Sequence, residues 1–345
     1  MKFLNLRILL CLLLIILLSG CGGGSSGTPN PTATPGGGIT FTPGQSVTYT
    51  IGSGASAVSF KMNYAPSGSF ASDDNTVCNT TNVYPTTVQV SKAFWIAQTD
   101  VTYQLWYAVY TWATTGCGQP EAGQYHFQNS GREGSMGTNG AAPTTNKQHP
   151  VTWISWRDAM VWCNALTDYY NATYRTSLIC VYSSNGVIIR DSTNGNATVC
   201  DNVTAKATAK GFRLPTIGEW ELTARYQDGT NWTPGDHVSG DMSGYCYNSG
   251  ISNTASSIFG NYAWYDGNCS STMPVGQKIA NFLGLYDMCG NVEQWCFDPG
   301  SIIFTRLARG GGWIGSAKGQ QLGFVSPDSP DLVFSFVGFR LVQTQ

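Results

Sequence analysis

The chain is poor in charge, in histidine and in long apolar runs, and each shortage removes a class of protein. Only 11% of its 345 residues are charged, against about 25% in a typical globular chain. A net charge of −2 without a basic stripe argues against nucleic acid as a partner. His126, His149 and His237 are the only histidines, too few for a histidine-rich metal centre. The apolar run Ile8–Leu18 is eleven residues long, short of the ~20 that a membrane-spanning helix needs. No fixed-period repeat is present, so a solenoid is not expected. Between Ile314 and Phe336 there is no Cys, His or Glu, and the only acids are Asp328 and Asp331.

Aromatic residues, by contrast, are plentiful: 11 Trp, 17 Tyr and 15 Phe. Disordered chains show the reverse balance, so a packed core is expected. The amino terminus has the form of a targeting segment, with Lys2 and Arg7 before the apolar run and Leu18-Ser19-Gly20-Cys21 after it. Cys21 stands where bacterial lipoproteins are acylated, which predicts a lipid-anchored rather than membrane-spanning protein. Gly22 in the next position, instead of Asp, points to the outer membrane or cell surface. Three segments are therefore expected: a signal peptide over 1–20, a Gly-, Ser-, Thr- and Pro-rich tether over 21–45, and a folded domain over 46–345.

Nine cysteines follow Cys21, at 78, 117, 163, 180, 200, 246, 269, 289 and 296. In an exported chain they are disulfide candidates first. Cys180 and Cys200 flank a polar excursion that a disulfide can close, and Cys163 falls on a predicted buried helix face as the odd free thiol.

Residues 46–51 and 57–64 alternate apolar and polar side chains, the period of a half-buried strand, and Val88–Ile96 resembles another. Thr102 precedes Leu105, Trp106, Val109 and Tyr110, which share one helical face. Ser155 and Asp158 open a second helix with Ala159, Met160, Trp162, Cys163 and Leu166 on its buried side. Thr216-Ile217-Gly218-Glu219 is a capping box. Beyond Gly229 the chain reads as turns and short strands. Few, separated helices among many short strands give an α+β domain with much irregular structure.

Several blocks now fall into a recognisable order: Phe94–Thr102, His149–Trp156, Gly211–Glu221, Pro274-Val275-Gly276, Gly284–Val292, Arg309-Gly310-Gly311 and Gly338-Phe339-Arg340. Together they resemble the formylglycine-generating enzyme-like (sulfatase-modifying factor) family across residues 58–342. The resemblance implies a C-type-lectin-like α+β fold with few helices. Catalytic members oxidise a peptide cysteine with copper held by two cysteines just after the Gly-Gly block, a pair of soft thiolates suited to Cu(I). Here that stretch is Gly312-Trp313-Ile314-Gly315-Ser316, and no cysteine follows it. Copper is therefore not expected, nor is the iron site of related sulfoxide synthases, which needs more histidine. The family also binds calcium near its Gly-Asn-Val-Trp-Glu-Trp segment. This chain has Gly290-Asn291-Val292-Glu293-Gln294-Trp295, so Asn291, Glu293 and Gln294 are weak calcium candidates: Gln294 replaces the carboxylate that gives such a site its affinity.

The carboxyl-terminal segment also resembles the variable region of lipoproteins diversified by retroelements, as in treponemes. By that resemblance, 312–336 is a variable ligand-binding segment in a fixed frame. The rewritten positions are Ile314, Gly315, Ser316, Lys318, Gly319, Phe324, Val325, Ser326, Leu332, Val333, Phe334, Ser335 and Phe336, with Gly312 and Gln320 marginal members. Leu332–Phe336 admits two forms: a loop exposing Phe334 and Phe336 as a contact patch, or a buried closing strand with Val333, Ser335 and Val337 on one face. The expected protein is a surface-displayed binder of a macromolecule, protein or glycan, without catalysis or cofactor. An oxidase of the formylglycine-generating type and a structural envelope protein are the alternatives.

Overall fold

The computed structural model describes residues 40–72, 87–242 and 258–345. The targeting segment 1–20, Cys21, most of the tether, Cys78 and Cys246 lie outside the described residues. Nine strands form the two main sheets: β1 (Ser46–Ile51), β2 (Val58–Ala65), β3 (Phe94–Ala97), β4 (Phe212–Arg213), β5 (Glu293–Pro299), β6 (Arg306–Arg309), β7 (Val325–Asp328), β8 (Val337–Phe339) and β9 (Val342–Thr344). One sheet runs β1-β2-β3-β9-β4 and the other β7-β6-β5-β8. Pairing is antiparallel except between β5 and β8, where Glu293 lies opposite Val337. Short paired strands and turns fill the rest, so the chain is α+β with little regular structure, as expected.

Three longer helices begin where local chemistry places them. In α1 (Tyr103–Thr114) the Thr102 hydroxyl accepts the Leu105 amide. Helices α2 (Trp156–Tyr174) and α3 (Ile217–Arg225) both carry complete capping boxes, Ser155 with Asp158 and Thr216 with Glu219. Each box satisfies two amides that a helix start otherwise leaves unbonded. Among the described residues no helix is long and apolar enough to cross a membrane.

Strand β3 lies between β2 and β9 and is buried along its whole length, with alternate residues entering different cores. Trp95 and Ala97 join the core formed with α1 and α2, while Phe94 and Ile96 join the core around Trp220. In the first core Trp106 and Trp162 stack at 5.6 Å, and the Phe339 ring meets Trp162 edge-on at 5.3 Å. That contact ties the helices to β8, hence to the chain just before it. The single strand expected over Val88–Ile96 is instead two: Thr87–Val90 pairs with Gly68–Ala71, and Ser91-Lys92-Ala93 breaks the run before β3.

The seven described cysteines are free thiols. Cys163 is buried on α2, as its periodicity implied. The expected closure of Cys180 on Cys200 does not occur. Cys180 Sγ instead faces the Asp168 carboxylate at 3.2 Å and Cys200 Sγ the Asp191 carbonyl at 3.2 Å.

Candidate functional site

A rigid frame underlies the carboxyl-terminal segment. The Gln294 side chain is used at both ends: its carbonyl accepts from Trp220 Nε1 (2.8 Å) and Arg340 Nε (3.1 Å), and its amide donates to the Asp287 carbonyl (2.7 Å). Arg340, fully buried, also donates to the carbonyls of Ala97 (2.7 Å) and Tyr286 (2.6 Å) and faces Asp100 at 3.4 Å. Burial pushes the Asp100 carboxyl up, against the pull of the Arg340 guanidinium. Arg309 pairs with Glu221 at 2.6 Å and donates to the Leu322 carbonyl at 2.7 Å. Buried charges persist when paired and hydrogen-bonded in this way.

The same chemistry occupies the candidate calcium residues. Gln294 is saturated by neutral donors and a guanidinium. The Asn291 Oδ1 takes the Met273 amide at 3.0 Å, and its main-chain carbonyl takes the Trp313 amide at 2.9 Å. The Glu293 carboxyl lies beside Asp328 and Ser326, pushed up to about 8 by burial first and by the Asp328 charge second. Those donor sets do not fit a calcium site. Among the described residues no three His, Cys, Asp or Glu side chains gather as a metal centre. The three histidines have separate neighbours: His126 the Arg190 carbonyl through its amide, His149 the Thr272 hydroxyl, His237 Asp236.

Residues 332–336 form a loop rather than a closing strand; β8 starts only at Val337. Three consecutive carbonyls of this loop are gripped by donors from elsewhere. The Trp153 amide donates to Phe334 O (3.0 Å), Trp313 Nε1 to Ser335 O (3.1 Å) and the Glu293 amide to Phe336 O (2.8 Å). Trp153 adopts φ +56°, and its ring lies 4.1 Å from the Arg132 guanidinium. The first stretch is held similarly: Gly315 O accepts from the Asp266 amide, and Gly312 O from Gln320 Nε2 (2.9 Å). The supporting roles of Trp153, Arg132 and Asp266 were not singled out in the sequence, because each depends on a distant partner.

The candidate positions divide. Ile314 and Leu332 are exposed, at 54% and 42%, as are Ser316 and Lys318. Gly315, Gly319, Phe324, Ser326, Val333, Phe334, Ser335 and Phe336 are half-buried. Phe334 and Phe336 stack on each other at 4.9 Å and pack partly against the helix-side core, so the expected aromatic patch is present but only half open. Three positions differ from expectation. Val325, on the opposite face of β7 from Phe324 and Ser326, is 3% exposed and cannot meet a ligand. Gly312 is buried, and a Cβ there would lie 2.7 Å from Phe336 O, which makes it part of the frame. Gln320, bonded to it, is buried as well. The stretches 312–316 and 332–336 meet at Trp313, while Ser326 approaches them through Glu293. Two concavities, about 340 and 430 Å³, are lined by residues outside 312–336.

A family described as sulfatase-modifying factor enzyme 1-like domain matches residues 56–345. The chain belongs to that family. Chaperone protein LppX of Paenibacillus barcinonensis is 30% identical over 214 residues, covering 58% of this chain and 71% of its own. The solved structure of Treponema denticola variable protein 1 is similar with a TM-score of 0.62 and 28% identity, over 87% of this chain and 99% of that one. CarF is similar in fold, with a TM-score of 0.61 and 24% identity, over 82% and 98% of the two chains. The domain thus has the C-type-lectin-like fold of its family, with the variable-protein likeness anticipated from the carboxyl-terminal blocks.

Proposed function

We propose that this chain is a lipid-anchored, surface-displayed binding protein. Residues 312–336 form its hypervariable ligand face, rewritten by a diversity-generating retroelement, and the domain performs no catalysis and needs no cofactor. Residues 1–20 are removed, Cys21 carries the lipid, 21–45 is the tether, and 46–345 stands off the outer membrane or cell surface. The ligand is a macromolecule, protein or glycan, and not nucleic acid.

One observation carries this reading: the loop at Phe334–Phe336 is fixed through its carbonyls. A loop fastened by main chain keeps its shape when its side chains change, which is what a rewritable site requires. The likeness to a variable protein supports it further. The genomic test is direct. A near-copy of the coding sequence for residues 306–345, differing at adenines, is expected beside a reverse-transcriptase gene, and siblings from one genome should differ chiefly after Trp313. Differences spread evenly along sibling chains would defeat the diversification reading. Turnover separates the oxidase alternative: copper-loaded protein that converts a peptide cysteine with oxygen would exclude a binding-only role.

A further inference from the structure

The hairpin between β5 and β6 carries an apolar tip that the scaffold does not explain. Ile302, Ile303 and Phe304 are 56%, 78% and 83% exposed. The turn itself is tightly closed: Thr305 donates its amide (3.2 Å) and hydroxyl (2.7 Å) to Ile302 O, and Gly300 donates to Thr305 O (2.9 Å). Phe304 takes the third place of this turn at φ +65°. Glycine, without a Cβ, takes that backbone freely, whereas a phenylalanine Cβ strains it. Phe304 therefore costs backbone strain and leaves a ring in water. Neither helps folding, and such outliers collect at contact sites.

Beside the tip lies a slot of about 360 Å³ lined by Ile302, Phe304, Arg306, Asp201 and Pro330 among others. Pro330 joins it to the variable segment: its carbonyl accepts the Arg157 amide, and the turn from Ser329 presents Leu332, 42% exposed. The tip, the slot and Leu332 are thus neighbours along one edge. With Gly312, Gln320 and Val325 buried, twelve of the fifteen candidate ligand positions remain accessible, against roughly 20–30 residues on each side of a stable protein interface. Fixed residues have to supply the rest.

We propose that the partner of the variable segment is a protein, and that Ile302–Phe304 with the adjoining slot is a constant anchor for an apolar side chain of that partner. This rests on reading 312–336 as a ligand face. The chemistry favours protein over glycan, because three bulky apolar side chains offer a sugar few hydrogen-bonding partners. It also disfavours a bilayer. The Asp201 carboxylate lines the slot, and the cation lining it, the Arg306 guanidinium, is turned inward over Trp156 at 3.9 Å and onto the carbonyls of Phe297 and Asp201 instead of toward a lipid headgroup.

The test pans a phage-displayed library of random linear peptides on the full chain carrying Cys21→Ser, then measures the recovered peptides against variants. Peptides rich in bulky apolar residues are expected, binding Phe304→Gly and Ile303→Ser at least about tenfold more weakly. Phe334→Ala should weaken them as well. Phe304→Gly relieves the turn and should melt no lower than the parent, so weaker binding cannot be assigned to unfolding. Peptides sensitive to Phe334→Ala but indifferent to the hairpin variants would overturn the anchor and leave the ligand face standing. Peptides sensitive only to the hairpin would remove the ligand face, and the joint site with it. Failure to recover any apolar peptide would overturn the anchor too. So would Phe304-dependent sedimentation with phosphatidylcholine–phosphatidylglycerol vesicles, which assigns the tip to lipid, or a Phe304-dependent dimer in sedimentation equilibrium, which assigns it to a second copy.

Discussion

Two regions built on the same four-stranded sheet fasten themselves by opposite means. Around Gln294, Arg309 and Arg340 the side chains are the fasteners, each polar head engaged by a specific partner in a buried network. Around Phe334–Phe336 the main chain is the fastener, and the side chains emerge half-open beside it. The difference teaches where substitution is tolerated. In the first region a residue's identity is its function, whereas in the second the backbone stays put whatever the side chain.

The strongest way to sharpen the contrast is Arg340→Ala. It strips a partner from Asp100 and Gln294 and leaves the carbonyls of Ala97 and Tyr286 unbonded. A loss of about 3–5 kcal/mol is expected, measured by urea denaturation. Gly311→Ala comes next. At φ +65° its Cβ would run into the Gly319 carbonyl, and a loss of roughly 2–3 kcal/mol is expected by the same measurement. A loss below the scatter of surface variants would place Gly311 outside the frame.

Glu293→Gln probes the seam between the two regions. Because the folded state holds this carboxyl at about 8 while an unfolded glutamate titrates near ~4.3, the folded protein binds the extra proton between those values. Stability from this group therefore falls as pH rises through that window. Glutamine removes the fall: the variant gains stability over the parent at the alkaline end and little at the acid end. Parallel denaturation curves for parent and variant at both ends would contradict it. The smallest effects belong to the open face. Ile314→Ser, Lys318→Ala and Leu332→Ser should each move stability by no more than about 0.5 kcal/mol, and thermal melts that drop steeply would erase the distinction between face and frame.

Features that depend on a few neighbouring residues were legible in the sequence. Thr102, Ser155–Asp158 and Thr216–Glu219 announced their helix starts because capping is a contact between residues three apart. The family blocks announced the frame. What depended on distant partners was not legible. Gly312 looked changeable until Phe336 was found against it, and Val325 looked like its neighbours until the pairing of β7 with β6 turned it inward. The break at Ser91–Ala93 was hidden because the strands on either side both carry buried apolar residues yet join different sheets. Ile302-Ile303-Phe304 drew no notice in sequence, since three apolar residues in a row resemble any short strand.

Every donor aimed at Phe334, Ser335 and Phe336 meets an oxygen atom, never a nitrogen. All twenty amino acids bring that oxygen to the polypeptide, whereas proline forfeits the N–H. The clasp is therefore blind to residue type, and the genetic alphabet available at these three places is as wide as it can be.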